Sequence, residues 1–292
     1  MIGSARRFAG ALRYRPATLL ALALLAIVVV SALAAAIVAP HDPILQHRDA
    51  FLAPPFWLAD GRPEFLLGTD AAGRDVLSRI LYGARVSLVF GAIVTLLAGA
   101  VGGAAGVASA VWQGWVGGVL ERLVDIVQTL PVLVLALAVI AILGPGQVPA
   151  IIALSIALLP GFARIARAAT LAQLGKEYAL ASRALGGASF HLIRWVVLPN
   201  IGGPLVVQGT LALSEAILGL AALGFLGLGL TPPTPEWGTM LADGRPYVLN
   251  AWWTVVVPGG AILVTVLSLN LAADGLREAL DPKAPIATGP NT

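Results

Sequence analysis

Six stretches of this chain carry so few polar side chains that water cannot be their solvent: Ala17 to Ala39, Val86 to Val111, Val124 to Leu143, Val148 to Ala163, Ile201 to Leu230 and Ala251 to Ala273. A helix rises about 1.5 Å per residue, so about 20 apolar residues cross the roughly 30 Å hydrocarbon layer of a bilayer. Each stretch approaches that length, although the fourth is short and contains Pro160. Composition agrees. Charged residues make up 11% of the 292 and hydrophobic residues 58%, whereas a soluble domain carries roughly 25% charged residues. Such a chain cannot hide its apolar surface in one core. The expectation is an all-α, polytopic membrane protein with six transmembrane helices.

The first stretch follows Arg6, Arg7, Arg13 and Arg15, the basic start of a secretory signal. A signal core is only about 7 to 15 residues long, and this one runs for 23, so it reads as a retained helix. Pro131 and Pro160 would break helices in water. Packed transmembrane helices tolerate them, and both read as kinks.

Orientation follows from the Lys and Arg residues. With the N-terminus in the cytoplasm, 12 of the 18 fall in inside segments and six outside, five of those six in the one long segment from 40 to 85. Both termini are therefore expected in the cytoplasm. Trp112 and Trp115 on one side, and Trp252 and Trp253 on the other, stand where aromatic belts form. The resulting division is a cytoplasmic segment 1–16, a first span 17–39, an extracytoplasmic segment 40–85 with an amphipathic helix, a core 86–273 and a cytoplasmic tail 274–292. The core contains a cytoplasmic loop 164–200 and an extracytoplasmic loop 231–250.

Several function classes drop out. Without Cys the chain has no disulfide framework and no thiolate metal site. Three scattered His and two Met make no metal cage. No Lys/Arg run suits nucleic acid. No G-x-x-x-x-G-K-[ST] run offers a phosphate cradle, and no catalytic Ser-His or Asp pair lies in an apolar stretch. The chain reads as neither an enzyme nor a cofactor protein.

The loop 164–200 is the most informative segment. Glu177 opens a short helix and Gly186-Gly187 closes it, the acid-first, glycine-last asymmetry of a capped helix. Ala181, Ala184 and Leu185 follow an i, i+3, i+4 spacing and form one narrow apolar stripe, with Ser182 and Arg183 facing elsewhere. A helix this short is marginal alone, so the stripe needs a partner, either lipid headgroups or another protein.

Charges near the apolar stretches are the other candidates. Glu215 lies inside the fifth stretch, where a carboxylate costs roughly 2.5 to 3.5 kcal/mol on insertion scales. It is a candidate to line a polar path, or else to bond a neighbouring helix or be protonated. Asp125, a turn after Glu121, is expected to pair near the membrane surface, Arg164 and Arg167 to snorkel to headgroups, and Asn270 and Asp274 to pack from one helix face. In the 40–85 segment, Thr69 or Asp70 can cap a helix beginning near Ala71 with an apolar face of Val76, Ile80 and Leu81. Arg74 and Asp75 would stay polar, and Asp70, Asp75, His41 and Asp42 read as ion-paired surface.

The loop from Leu180 resembles the EAA loop of ABC importer permeases: a Glu-Ala-Ala run, Gly after three residues, then nine residues to Ile-x-Leu-Pro. Here the string is Leu180-Ala181-Ser182, then Gly186, then nine residues to Val196-Val197-Leu198-Pro199. Leu180 stands where the family usually has Glu, and Ser182 where it usually has Ala. LGTDAAGRDVLSRILYGARVSL from Leu67, FLGLGLTPPTPEWGTMLADGRPYV from Phe225 and NLAADGLREALDP from Asn270 narrow the resemblance to the peptide/nickel subfamily, DppC/OppC-like half. The resemblance implies a type I ABC importer permease fold in a bacterial cell membrane. It makes Glu177, Leu180, Ala181, Ser182, Arg183, Ala184, Leu185, Gly186, Leu198 and Pro199 the loop that docks on ATPases. It implies four kinds of partner: a homologous DppB/OppB-like permease subunit, two cytoplasmic ATPase subunits, an extracytoplasmic binding protein and the lipid bilayer. It implies di- or oligopeptide cargo, with nickel complexes, glutathione or another small solute as alternatives. An ion-coupled secondary transporter is the competing class; it would show an inverted repeat and several intramembrane carboxylates.

Overall fold

The computed structural model describes residues 16–185 and 189–280. The charges of segment 1–15, residues Gly186 to Ala188 and the tail from Asp281 lie outside the described residues. Within them the chain is helical: α1 Pro16–Leu33, α2 Val76–Val111, α3 Trp115–Gln128, α4 Val132–Leu143, α5 Gln147–Leu174, α6 Glu177–Ala184, α7 Leu198–Phe225, α8 Trp237–Gly244 and α9 Trp253–Leu280, with shorter turns between them. Five of these helices are long and apolar enough to cross a membrane, and the bent pair α3–α4 is a sixth candidate. The protein is a multi-pass membrane protein.

Small residues set the packing. In α2, Gly99, Gly102 and Gly106 lie against Leu159, Phe162, Ala163 and Ala166 of α5, and a Cβ on Gly102 or Gly106 would run into the carbonyl oxygen of Leu159 or Ala163. The contacts advance together along both helices, so α2 and α5 run parallel at close approach, as small-residue seams permit. The central helix α7 runs antiparallel to both, with Gly91 against Ile217 and Gly219 against Leu154. Ser214 of α7 donates to Asn270 of α9 at 2.9 Å. Gly275 of α9 touches Thr18 of the peripheral α1. One end of the bundle therefore gathers Pro16, Val111, Leu174, Leu198 and Leu280; it is called the near end. The far end gathers the 39–75 lobe, α8 and the start of α9.

Three elements differ from the sequence expectation. The amphipathic helix of the 40–85 segment and the second span are one unbroken helix of 36 residues. Its cap is Asp75, which accepts from the Ser78 N–H at 3.0 Å. Neither Thr69 nor Asp70 serves, because each is used before the helix starts. Thr69 Oγ1 donates to Ala50 O, and Asp70 Oδ1 accepts from the N–H groups of Ala72 and Arg74 in a tight turn. Next, Pro131 does more than kink the third stretch: α3 and α4 meet at 95°. Pro131 has no N–H to give the preceding turn, its ψ of 138° is extended, and the residue before a proline is pushed out of helical geometry. Pro160, by contrast, stays within the continuous α5. Finally, α5 and α9 continue well past the fourth and sixth apolar stretches, to Leu174 and Leu280.

Candidate functional site

At the near end, α5 stops at Leu174, and only Gly175 and Lys176 separate it from α6. Glu177 sits in the first turn of α6, where the helix dipole favours a carboxylate. Ala179 is fully buried and clusters with Leu192 and Val196 of the returning chain, which fixes one side of α6. The predicted stripe is on the other side and is uncovered: Ala181 and Ala184 are exposed, Leu180 is 53% exposed and Leu185 90%. Ser182 is half-buried and Arg183 lies in the same helix. Gly186 lies outside the described residues. The chain returns through the π-helical turn Leu192–Val197 into α7, with Leu198 and Pro199 exposed at its start. Phe190 and Trp195 are exposed beside them, with the Arg194 guanidinium 5.5 Å from the Trp195 ring centroid. Sequence reasoning did not single these two aromatics out. Their spacing from Val196 and Leu192 is the available signal, since those inward positions leave Phe190 and Trp195 outward on a helical turn.

Along α7, Pro204, Gln208, Leu211, Glu215, Leu218, Ala222 and Phe225 alternate spacings of four and three and share one helix face. That face is open: Glu215, Leu218 and Phe225 are exposed, while Ala212, Ser214, Ala216, Ile217, Gly219 and Leu220 behind them are buried. Glu215 has neither a hydrogen bond nor an ion pair among the described residues. Of the pair Asn270 and Asp274, only Asn270 reaches across to another helix, accepting from Ser214, and Asp274 is exposed.

Arg164 and Arg167 do not snorkel free. Arg164 pairs with Asp125 at 3.0 Å and Arg167 with Glu121 at 2.7 Å, tying α5 to α3. Asp125 thus pairs as expected, and its partner is Arg164 of α5. The four side chains line a cleft of about 310 Å³ between α2, α3 and α5.

At the far end the expected ion-paired surface is buried at Asp70 and Asp75, while His41 is half-buried and Asp42 exposed. Asp75 is fully buried and Arg79 is 2% exposed. Arg74 bridges Asp70 at 2.7 Å and Asp243 at 3.1 Å, joining the 39–75 lobe to α8. The indole N–H of Trp253 donates to Thr69 O at 3.0 Å, and that of Trp237 to Ile80 O at 3.1 Å. Glu236 caps α8 by accepting from the N–H groups of Gly238 and Thr239 at 2.7 and 2.8 Å. Burial pushes its carboxyl up to about 7, partly offset by those two donors. Among the described residues no three His, Asp or Glu side chains are grouped to hold a metal ion.

A bundle of spanning helices with an uncovered near-end loop and an open central helix is the frame of a membrane transporter. Residues 101–284 match the family of binding-protein-dependent transport system inner membrane components. The chain belongs to this family. The permease is 50% identical over 260 residues to the di/tripeptide transport system permease protein DppC of Pseudomonas aeruginosa, covering 88% of this chain and 85% of that one. It is 47% identical over 246 residues to the dipeptide transport system permease protein DppC of Escherichia coli K12, covering 84% and 82%. In three dimensions it is similar to a chain of the MetNI methionine ABC transporter in an inward facing conformation. There the TM-score is 0.58 at 21% identity, over 70% of this chain and 97% of that one. That likeness bears out the all-α, type I ABC importer permease fold expected from the sequence.

Proposed function

We propose that this permease forms half of the path by which an ATP-driven importer takes di- and oligopeptides into the cell. Its partners in this reading are a homologous DppB/OppB-like subunit, two cytoplasmic ATPase subunits and an extracytoplasmic binding protein. The near end faces the cytoplasm and the far end the outside, in keeping with the distribution of Lys and Arg. Relatives that transport dipeptides over most of the chain length support the cargo.

The observation that carries the proposal is α6. It is held from one side by Ala179 and offers Leu180, Ala181, Ala184 and Leu185 from the other, with no cover among the described residues. A hydrophobic stripe on a helix of eight residues needs burial to persist. An ATPase groove supplies it. Because α6 joins α5 through two residues and the central α7 through the 189–197 turn, a shift of α6 is delivered to two spanning helices at once. ATP-driven closure of the ATPases then rocks the bundle between inward- and outward-open forms. Leu180, where the family usually has Glu, makes this contact rest on burial more than on charge.

Leu185→Asp tests the assignment. The side chain is solvent-facing in the isolated subunit, so insertion and assembly with the second permease are expected to be normal. Substrate-stimulated ATPase activity and uptake are expected to be lost together. Normal stimulated ATPase activity in that variant contradicts the docking role.

A further inference from the structure

We propose that the open face of α7 passes a peptide along as a zwitterion, Arg245 meeting its carboxylate at the far end and Glu215 meeting its ammonium group within the membrane. The proposal rests on the reading of this chain as a peptide permease and goes beyond it by assigning charge-selective positions.

Every stripe position on that face is uncharged except Glu215. A carboxylate turned toward lipid is costly, so an exposed one within a span faces water, a counter-charge or a passing cation. Arg164 and Arg167 pair with α3, and Arg74 with Asp70 and Asp243, so none of these three answers it. The stripe ends at Phe225, and the Arg245 guanidinium lies 5.9 Å from that ring centroid. Arg245 is exposed and makes no ion pair among the described residues. One cation thus stands at the mouth of the stripe and one anion lies along it.

Their spacing says how they act. Ten residues separate Phe225 from Glu215, about 15 Å along a helix axis. A fully extended dipeptide spans only about 7 Å. The two charges therefore cannot clamp one dipeptide; they are successive stations. Leu218 and Ala222 between them, and Leu211 beyond, offer no charge to trap the cargo. A contact exposed to water is weak and salt-screened, which suits a step that must also release.

The test uses the complete transporter, with second permease, ATPases and binding protein, in proteoliposomes. Uptake of Ala-Ala, Ala-Ala amide, which keeps only the ammonium group, and N-acetyl-Ala-Ala, which keeps only the carboxylate, is compared for wild type, Glu215→Gln, Glu215→Asp and Arg245→Gln. Glu215→Gln is expected to lower the Ala-Ala amide to N-acetyl-Ala-Ala uptake ratio about threefold, the effect of losing one water-exposed ionic contact. Glu215→Asp should restore most of that ratio, and Arg245→Gln should move it the opposite way. Binding-protein affinities and resting ATPase activity should not change. Ratios unchanged in both neutral variants overturn the proposal, as does a Glu215→Gln subunit that no longer assembles with the second permease, which would make Glu215 an intersubunit bond. A wild-type complex that takes up none of the three peptides removes the peptide reading and this proposal together.

Discussion

Glu236 shows how a single side chain is held in this protein and what that costs. Its two carboxylate oxygens accept from the first N–H groups of α8, and Gly224 of α7 lies so close that a Cβ there would collide with the carboxylate. Burial favours the neutral acid, so the folded-state pKa of about 7 lies above the usual carboxylate range. The stabilisation of the protonated form is complete below that range and is lost as pH rises through about 7. Thermal stability of the purified permease is therefore expected to fall between about pH 5 and about pH 8. Glu236→Gln should flatten that slope while lowering stability by about 1 kcal/mol, because the amide nitrogen cannot accept the second N–H. An unchanged slope contradicts the account. None of this was legible in the sequence. Glu236 stood in a recognised string, yet only the fold brings Gly224 against it. The same holds for Asp75 and Asp70. Either can cap by residue type, and the choice falls to Asp75 because Asp70 is already committed to the turn before it and to Arg74.

Among the elements, the seam between α2 and α5 gives the sharpest contrast. Gly102 and Gly103 are neighbours, but a Cβ on Gly102 would strike Leu159 O while one on Gly103 meets nothing within 4 Å. Gly102→Leu should cost about 3 kcal/mol or more by forcing the helices apart, and Gly103→Ala should be neutral or slightly stabilising. The fraction of monodisperse protein after heating in detergent reads both; equal behaviour would place the seam elsewhere. The spans themselves were legible because apolar length is a property of contiguous residues. The 95° turn at Pro131 was not, since proline permits both a kink and a break and tertiary packing decides. Glu121 and Asp125 of α3 reach Arg167 and Arg164, so Asp125 pairs as expected while the two arginines expected to snorkel to headgroups pair between helices instead. The near-end helix was legible to within its stripe: Ala181, Ala184 and Leu185 were expected to need a partner and are uncovered in the chain alone. Its anchor, Ala179 packed on Leu192 and Val196, required the return of the chain.

For the whole molecule, the absence of Cys makes orientation directly measurable. Gln113, in the turn after α2 at the near end, and Leu249 at the far end are exposed and lie outside the docking loop, so single Cys replacements there should disturb little. In intact cells a membrane-impermeant maleimide is expected to label Leu249→Cys and to reach Gln113→Cys only after the membrane is opened. The reverse pattern would invert the permease. The central claim, that this chain is half of an ATP-driven peptide path, is tested most directly by uptake of a labelled dipeptide into proteoliposomes holding the complete transporter. Uptake is expected to require ATP on the near-end side and the binding protein on the other, and to persist when all ion gradients are collapsed. Uptake that proceeds without ATP and follows a proton or sodium gradient would contradict the claim.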